Sequence, residues 1–311
     1  MSETRTEPRI GVALGSGAAR GLTHIPYIEA MDELGLKPSV IAGCSIGALI
    51  GSGWANGMTG AELRDHAFGS LGTLQLIADK LWTTSLAAIK LAGFKGLSMQ
   101  ADPMVITRAF LPETFPDDFG ALGIPFHVVT TDIRTWEKVV FSEGPLPQAI
   151  AASIAIPSLF RPVVLGERLF IDGGVTNPLP LDLAAPDSDI LVGIDVNGGP
   201  EERFLSAEPS PFDTGFIASQ IMSQTLIRNT IEAYPPDVYV RPDVNGFGIL
   251  EFWRVKEIVD HVATGKDEFK RQLTEKIEAW HKRPRPTLAD KRVDKAIEIL
   301  RPTGETPPRA R

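Results

Sequence analysis

The 311-residue sequence contains a single cysteine, five histidines and no long uninterrupted apolar segment. One cysteine excludes an intrachain disulfide and leaves no cysteine cluster for zinc, which fits a reducing compartment. The longest apolar region, residues 71–94, carries Asp79, Lys80 and Lys90, so it does not have the composition of a transmembrane helix. The start of the chain is too polar for a secretory signal peptide. These absences predict a cytoplasmic protein.

Basic residues are also few, and they form no block. The chain has 31 Lys+Arg against 39 Asp+Glu and a net charge of −8, which argues against a nucleic-acid partner. The same charge opposes electrostatic binding to anionic membranes, so any contact with a membrane surface should be hydrophobic and transient. Candidate metal ligands are not clustered in the sequence, and we therefore predict no metal and no cofactor.

Short apolar runs alternate with helical periodicity along residues 9–200, and we predict a catalytic core there. Residues 60–120 have helical periodicity without a convincing strand, which indicates a helical insertion into that core. Residues 201–300 are predicted to complete the same domain and to add C-terminal helices. The fold class is thus α/β, a single three-layer domain with a mostly parallel central sheet flanked by helices. Residues 1–8 and 301–311 are predicted to be a disordered leader and tail.

The motif GCSIG follows the second predicted strand and has G-x-S-x-G spacing. Gly43 and Gly47 leave room for a tight strand-to-helix turn around Ser45. Such an elbow presents its central side chain at the N-terminus of the following helix, where free N–H groups favour a developing anion. Only Ser45 is central, so Cys44 is predicted to pack behind the turn. Small residues at this place also permit close helix–strand packing, and the spacing alone occurs by chance.

A glycine-rich loop, GSGAARG (residues 15–21), directly follows the first predicted strand. Backbone N–H groups in such a loop can bind either a phosphate or an oxyanion. A dinucleotide site needs an acidic residue at the end of the second strand, which here reads AGCS, and a P-loop needs Gly-Lys-Ser/Thr, which is absent. Because this loop and the elbow lie on adjacent βα turns, an oxyanion hole beside a nucleophile is favoured over a nucleotide site.

The base that would activate Ser45 is not an obvious histidine. All five fall in predicted helices or strands: His24, His66, His127, His261 and His281. Only His261 has a position in the sequence that suits the histidine of a catalytic triad, which comes after the acid in α/β-hydrolases. Its surroundings, however, are typical of an exposed helix. The motif FIDGG places Asp172 at the end of an apolar strand, although an Asp-Gly turn is common for structural reasons. This leaves Asp172 to activate Ser45 directly, which requires a raised pKa or a strong oxyanion hole.

In this order and spacing the three motifs resemble the patatin-like phospholipase family, and most of all its bacterial branch related to neuropathy target esterase. The similarity covers roughly residues 9–200 and includes TTDIRTWEKVVFSEGPLPQAIAASIAIPSLFRPV and DGGVTNPLP. It implies a patatin-like fold and a Ser-Asp dyad that cleaves carboxyl esters of lipids through an acyl-enzyme. The residues that match the family's motifs are Ser45 and Asp172 as the catalytic pair, Gly15, Ser16, Gly17, Arg20 and Gly21 in the oxyanion loop, Gly43, Ile46 and Gly47 in the elbow, and Gly173 and Gly174 after the aspartate.

The resemblance also implies that backbone N–H groups around Ser16 and Gly17 form the oxyanion hole, with the Ile46 N–H as an extra donor. The family's commonest loop has three successive glycines, and here Ser16 replaces the middle one. Arg20 matches the loop's basic residue, and we expect it to anchor the loop or to bind a substrate phosphate, the first being favoured. The predicted enzyme is a carboxylic ester hydrolase of the phospholipase A or lysophospholipase type.

Three questions remain open from the sequence. An acyltransferase or thioesterase could use the same elbow, although such enzymes pair the serine with a histidine. A lipid-sensing protein without turnover could retain the fold, although all three motifs are intact. Residues 71–97 carry apolar side chains among lysines, a pattern compatible with a cap that docks on a membrane surface or with a pair of core helices. We favour the core helices. The oligomeric state is not predicted.

Overall fold

The computed structural model describes residues 6–70, 100–199 and 211–283. The strands in these ranges are β1 (Ile10–Leu14), β2 (Val40–Cys44), β3 (Phe126–Asp132), β4 (Glu137–Phe141), β5 (Val163–Leu165), β6 (Arg168–Asp172), β7 (Ile190–Ile194) and β8 (Val238–Val240). They form one eight-stranded sheet in the order β5-β6-β3-β2-β1-β7-β8, with β4 paired to β3 outside that path.

The sheet has a parallel part and an antiparallel edge. Strands β3, β2, β1, β7 and β8 run parallel to one another, whereas β4 and β6 are antiparallel to β3, and β5 is antiparallel to β6. Every residue of β1, β2 and β7 is buried, as expected for continuous apolar runs covered on both faces. The predicted mostly parallel sheet is confirmed, and the antiparallel edge is an addition to it.

The helices follow the strands in the predicted alternation. They are α1 (His24–Glu33), α2 (Ile46–Ala55), α3 (60–70), α4 (Pro103–Phe110), α5 (Leu146–Ser153), α6 (Leu181–Ala184), α7 (Pro211–Ala233), α8 (Val255–Val262) and α9 (Lys266–Lys282). Gly35 follows the end of helix α1 and takes the left-handed conformation with φ 68°, which is typical of a helix C-terminus. Among the helices in the described ranges, none is both long and apolar enough to cross a membrane.

Helices cover both faces of the sheet, which gives the predicted three layers. On β1, Val12 packs into the large core cluster formed with α1, α2, α8 and α9, whereas its neighbour Ala13 packs on the opposite face with residues of α6 and α7. The C-terminal helices contribute directly to the first of these clusters, since Phe269 of α9 is buried and its ring contacts Tyr27 with centroids 5.3 Å apart.

Several predictions concern residues outside the described ranges. These are the cap or helix pair over residues 71–97, the part of the predicted C-terminal helices beyond residue 283, the tail 301–311 and most of the leader. The described part of the predicted insertion is helical in α3 and α4, and the chain from residue 111 to residue 125 is largely irregular.

Candidate active site

The GCSIG motif forms a strained turn between β2 and α2. Ser45 has φ 55° and ψ −122°, a positive φ that is uncommon for any residue other than glycine and that clusters at functional sites. Both flanking glycines are required by close packing. A Cβ on Gly47 would overlap the carbonyl oxygen of Leu14, and a Cβ on Gly43 would lie 2.6 Å from the Gly47 carbonyl oxygen. The turn therefore has the geometry of a nucleophile elbow.

Asp172 lies directly beside this turn. The Ser45 hydroxyl donates a hydrogen bond of 2.6 Å to Asp172 Oδ2, and the Gly174 N–H donates one of 2.7 Å to Asp172 Oδ1. Ser45 is 3% and Asp172 is 6% exposed. A short bond between two buried side chains, one of them a carboxylate, is among the stronger hydrogen bonds found in proteins.

Strand β3 brings these two residues together, because it pairs with both β2 and β6. Its Val129 is opposite Cys44 on the parallel side, and its Thr130 is opposite Asp172 on the antiparallel side. Gly173 permits the close approach on that second side, since a Cβ there would overlap the Val129 carbonyl oxygen. Two residues 127 positions apart in sequence thus end at one point of the sheet.

Burial changes the acidity of the groups at this point. Burial raises the pKa of Asp172 to about 6, against the lowering effect of its hydrogen bonds from Ser45 and Gly174. Burial, and secondarily the nearby Asp172 charge, also raises the pKa of the Cys44 thiol well above its ordinary value. Cys44 is fully buried behind the turn, as predicted, and its thiol is protonated at neutral pH.

The glycine-rich loop packs against the elbow but differs from the prediction in one donor. The Ser16 N–H donates to the carbonyl oxygen of Pro178 at 2.8 Å, and the Gly15 N–H donates to that of Ile194 at 3.0 Å. The Ser16 amide is therefore already used and does not supply the predicted oxyanion donor. Gly17 N–H makes no hydrogen bond within the described residues, and Ile46 N–H, in the first turn of α2, has no intrahelical acceptor.

Arg20 is a structural residue of this loop. Its side chain is 0% exposed, and it donates hydrogen bonds to the carbonyl oxygens of Phe247 at 2.8 Å and Asn197 at 3.0 Å. The guanidinium thus ties the loop to the chain that follows β7 and β8. Gly21 allows the loop to touch the elbow, because a Cβ there would overlap Ile46 Cγ2.

None of the five histidines forms a hydrogen bond with Ser45 or Asp172. His24 is fully buried and its Nε2 contacts the Gly15 carbonyl oxygen at 2.9 Å, so it supports the glycine-rich loop. Burial lowers the pKa of His24 to about 4, which keeps the ring neutral. His261 lies exposed on α8 and packs edge-on against Phe247, away from the pair.

One polar side chain at the site was not predicted from the sequence. The Ser45 N–H donates to Ser153 Oγ at 2.9 Å, from the last residue of α5. Ser153 lies within the stretch that resembles the family, but the sequence does not indicate that its hydroxyl contacts Ser45, because the two residues are 108 positions apart. Among the described residues, no group of three His, Cys, Asp or Glu side chains is arranged to hold a metal ion.

The fold and this geometry define an α/β protein with a serine elbow and a carboxylate partner. The patatin-like phospholipase family model matches residues 12–185, more than half of the chain. The chain therefore belongs to the patatin-like phospholipase family, and the resemblance expected from its motifs is confirmed.

Relatives of known sequence agree with this membership. An uncharacterized NTE family protein of Mycobacterium tuberculosis is 35% identical over 206 residues, which cover 66% of this chain and 54% of the relative. Patatin-like phospholipase domain-containing protein 6 of Homo sapiens is 25% identical over 289 residues, which cover 84% of this chain and 20% of that protein. This chain thus spans about half the length, or less, of the curated relatives it matches.

Among solved structures, VipD from Legionella pneumophila aligns over 85% of this chain and 67% of its own length, with a TM-score of 0.41 and 15% identity. The type III effector protein ExoU aligns over 85% and 54%, with a TM-score of 0.35 and 14% identity.

Proposed function

We propose that this protein is a serine esterase that hydrolyses carboxyl esters of lipids, with Ser45 as nucleophile and Asp172 as base. One observation carries the proposal. The hydroxyl of a buried serine, held at positive φ on a strand-to-helix turn, donates a 2.6 Å hydrogen bond to a buried carboxylate. Membership of the patatin-like phospholipase family supports a lipid substrate.

In the acylation step, Ser45 Oγ attacks the ester carbonyl while Asp172 Oδ2 accepts the hydroxyl proton. The carbonyl π electrons move to the oxygen, and the Gly17 and Ile46 N–H groups donate hydrogen bonds to the resulting oxyanion. The intermediate then collapses, the alkoxide or lysolipid leaves, and Asp172 returns the proton to it. In the second step Asp172 takes a proton from a water that attacks the acyl carbonyl, and a second oxyanion forms. This intermediate collapses with cleavage of the bond to Ser45 Oγ, Asp172 returns the proton to Oγ, and the fatty acid leaves.

The environment of Asp172 suits a base that works without histidine. A pKa raised to about 6 by burial makes the carboxylate a stronger base than an exposed aspartate, while it remains ionised at neutral pH. The hydrogen bond from Gly174 N–H to Oδ1 fixes the carboxylate so that Oδ2 faces Ser45. The missing histidine is thus replaced by desolvation and orientation of the aspartate.

We further propose that the enzyme acts in the cytoplasm and reaches its substrate by transient contact with a membrane surface. The proposed activity is of the phospholipase A or lysophospholipase type. An acyltransferase or thioesterase would be expected to place a histidine against the elbow serine, and none of the five histidines forms a hydrogen bond with Ser45.

The test compares hydrolysis of p-nitrophenyl acyl esters and of phospholipid vesicles by wild type and Ser45→Ala. We expect kcat to fall by at least about 10³-fold in the variant, because the nucleophile is lost. Cys44→Ala is the matched control, since it changes the adjacent buried residue and should retain activity. Full turnover by folded Ser45→Ala would contradict the assignment. A wild type that does not react with a fluorophosphonate would favour a lipid-binding protein without turnover, and faster cleavage of acyl thioesters than of oxygen esters would favour a thioesterase.

A further inference from the structure

The end of helix α5 contacts the backbone of both residues of the proposed dyad. The Ser45 N–H donates to Ser153 Oγ at 2.9 Å, and the Asp172 N–H donates to the Ala155 carbonyl oxygen at 3.0 Å. Within residues 153–155, therefore, one contact fixes the nucleophile's peptide and another fixes the base's peptide. None of these contacts is part of the sheet pairing that brings β2, β3 and β6 together.

Ser153 makes its contact in a defined orientation. Its side chain is 0% exposed, and its hydroxyl donates to the Val129 carbonyl oxygen at 2.6 Å. Since a serine hydroxyl has one proton, that bond leaves only the oxygen lone pairs to face the Ser45 N–H. The hydroxyl thus links the middle of β3 to the elbow, with its donor and acceptor roles both assigned.

The Ser45 N–H needs this acceptor. The pairing of β2 with β3 ends at Cys44, one residue before Ser45, and the positive φ of Ser45 marks the point where the chain leaves the strand. A buried N–H that lacks a partner destabilises its conformation, so without Ser153 the elbow would tend to relax toward a different orientation of the Cys44–Ser45 peptide. Rotation of that peptide would move Oγ away from Asp172 Oδ2.

We propose that Ser153 is a positioning residue, whose hydroxyl holds the Ser45 peptide in the orientation that aims Oγ at Asp172. This inference rests on the proposed function, since it assigns a role in aligning the reacting pair. Because Ser153 is fully buried, we assign its hydroxyl no contact with the substrate. Its removal should lower kcat and leave KM little changed, because misplacing a reacting atom by about 1 Å can reduce the rate by about 10²-fold without changing substrate binding.

Ser52 offers a matched control for the loss of a buried helical hydroxyl. It is also 0% exposed, lies in α2 and donates to the Leu49 carbonyl oxygen of its own helix at 2.7 Å. Ser52→Ala therefore removes a similar group at a similar depth without touching the pair. We expect Ser153→Ala to reduce both kcat and the rate of fluorophosphonate labelling by about 10- to 100-fold, with KM within about twofold, and Ser52→Ala to change each by less than about twofold.

Thermal unfolding identifies the temperature at which all variants are folded, and the kinetics are measured there. Ser153→Thr keeps the hydroxyl and should recover most of the activity, whereas Ser153→Cys keeps only a weak acceptor and should recover little. If Ser153→Ala does not fold, the Thr and Cys pair carries the test, with an expected difference of about tenfold in kcat. Labelling of folded Ser153→Ala or Ser153→Cys at the wild-type rate overturns the positioning role alone, whereas a wild type that does not label overturns the proposed function and this inference together.

Discussion

Ser45 and Asp172 lie at the same point of the sheet, but different strands and turns position them. Ser45 lies between the buried parallel strand β2 and helix α2, at a turn whose shape depends on Gly43 and Gly47. Asp172 ends β6, a strand that lies between β5 and β3 and runs antiparallel to both, and Gly173 permits its close approach to β3. The two residues lie side by side because β3 pairs with both β2 and β6. The separation of the two side chains therefore depends on two independent registers, each of which would turn a side chain to the other face if it slipped by one residue.

The largest expected effect is on the antiparallel side. Asp172→Asn should lower kcat by about 10³- to 10⁴-fold, because an amide cannot accept the Ser45 proton. The same variant should unfold no more easily than wild type at pH 8, since burying the ionised carboxylate destabilises the folded state. Ester hydrolysis and urea unfolding measured on the same preparation check both parts. Activity within tenfold of wild type would remove Asp172 from the mechanism.

The next largest effects are expected at the glycines beside Ser45 and Asp172. Gly47→Ala and Gly173→Ala each place a Cβ against a backbone carbonyl oxygen, of Leu14 and Val129 respectively. We expect each to reduce the free energy of unfolding by about 1–3 kcal/mol, with a loss of activity, because neither carbonyl can move without disturbing β1 or β3. Gly215→Ala in α7 is the control, since a Cβ there meets nothing within 4 Å and should leave stability unchanged or raised. Equal stabilities of all three variants in urea unfolding would show that the close packing is not required.

A moderate effect is expected from pH. The base must be ionised, so kcat/KM should fall about tenfold per pH unit below an apparent pKa near 6, the value to which burial raises Asp172. For stability the sign is opposite. The pKa is raised in the folded state, so the contribution of Asp172 to stability is fully present below its unfolded pKa near 4 and is lost as pH rises through about 6. A pH–rate profile with an acid limb near 4 would indicate that the carboxylate is not desolvated during catalysis.

The smallest effects are expected at two residues that the sequence offered as rivals. Cys44→Ala and His261→Ala should each leave kcat within about twofold of wild type. The Cys44 thiol is buried behind the turn, and the His261 side chain is exposed on α8. Initial rates on a p-nitrophenyl ester are sufficient for this measurement. A large loss in folded His261→Ala would replace the dyad with a triad.

The sequence predicted the parallel part of the fold and the meeting of Ser45 with Asp172. The elbow could be predicted because glycine spacing and an apolar strand determine its turn within a few residues. The aspartate was predicted by its position after a strand and by the family's motif, but the antiparallel direction of β6 was not. Strand direction depends on pairing with β3, which periodicity within one segment does not report.

Two features of the site could not be predicted because they depend on tertiary contacts. The Ser16 amide was expected to face an oxyanion, yet Pro178, from a distant part of the chain, accepts its hydrogen bond. Ser153 lies in a run of small residues typical of a buried helix, and only its packing against the elbow makes its hydroxyl an acceptor for Ser45. In both cases the sequence specifies the residue and the fold specifies its partner.

The most direct test is to locate the covalent adduct formed by a fluorophosphonate. Wild-type protein is labelled at pH 8, digested and mapped by mass spectrometry, alongside Ser45→Ala and Asp172→Asn. The account predicts a single adduct on Ser45 in the wild type, no adduct in Ser45→Ala, and labelling of Asp172→Asn that is slower by about 10²-fold or more. An adduct on any other residue, or equal labelling of wild type and Asp172→Asn, would contradict the claim that Asp172 activates Ser45.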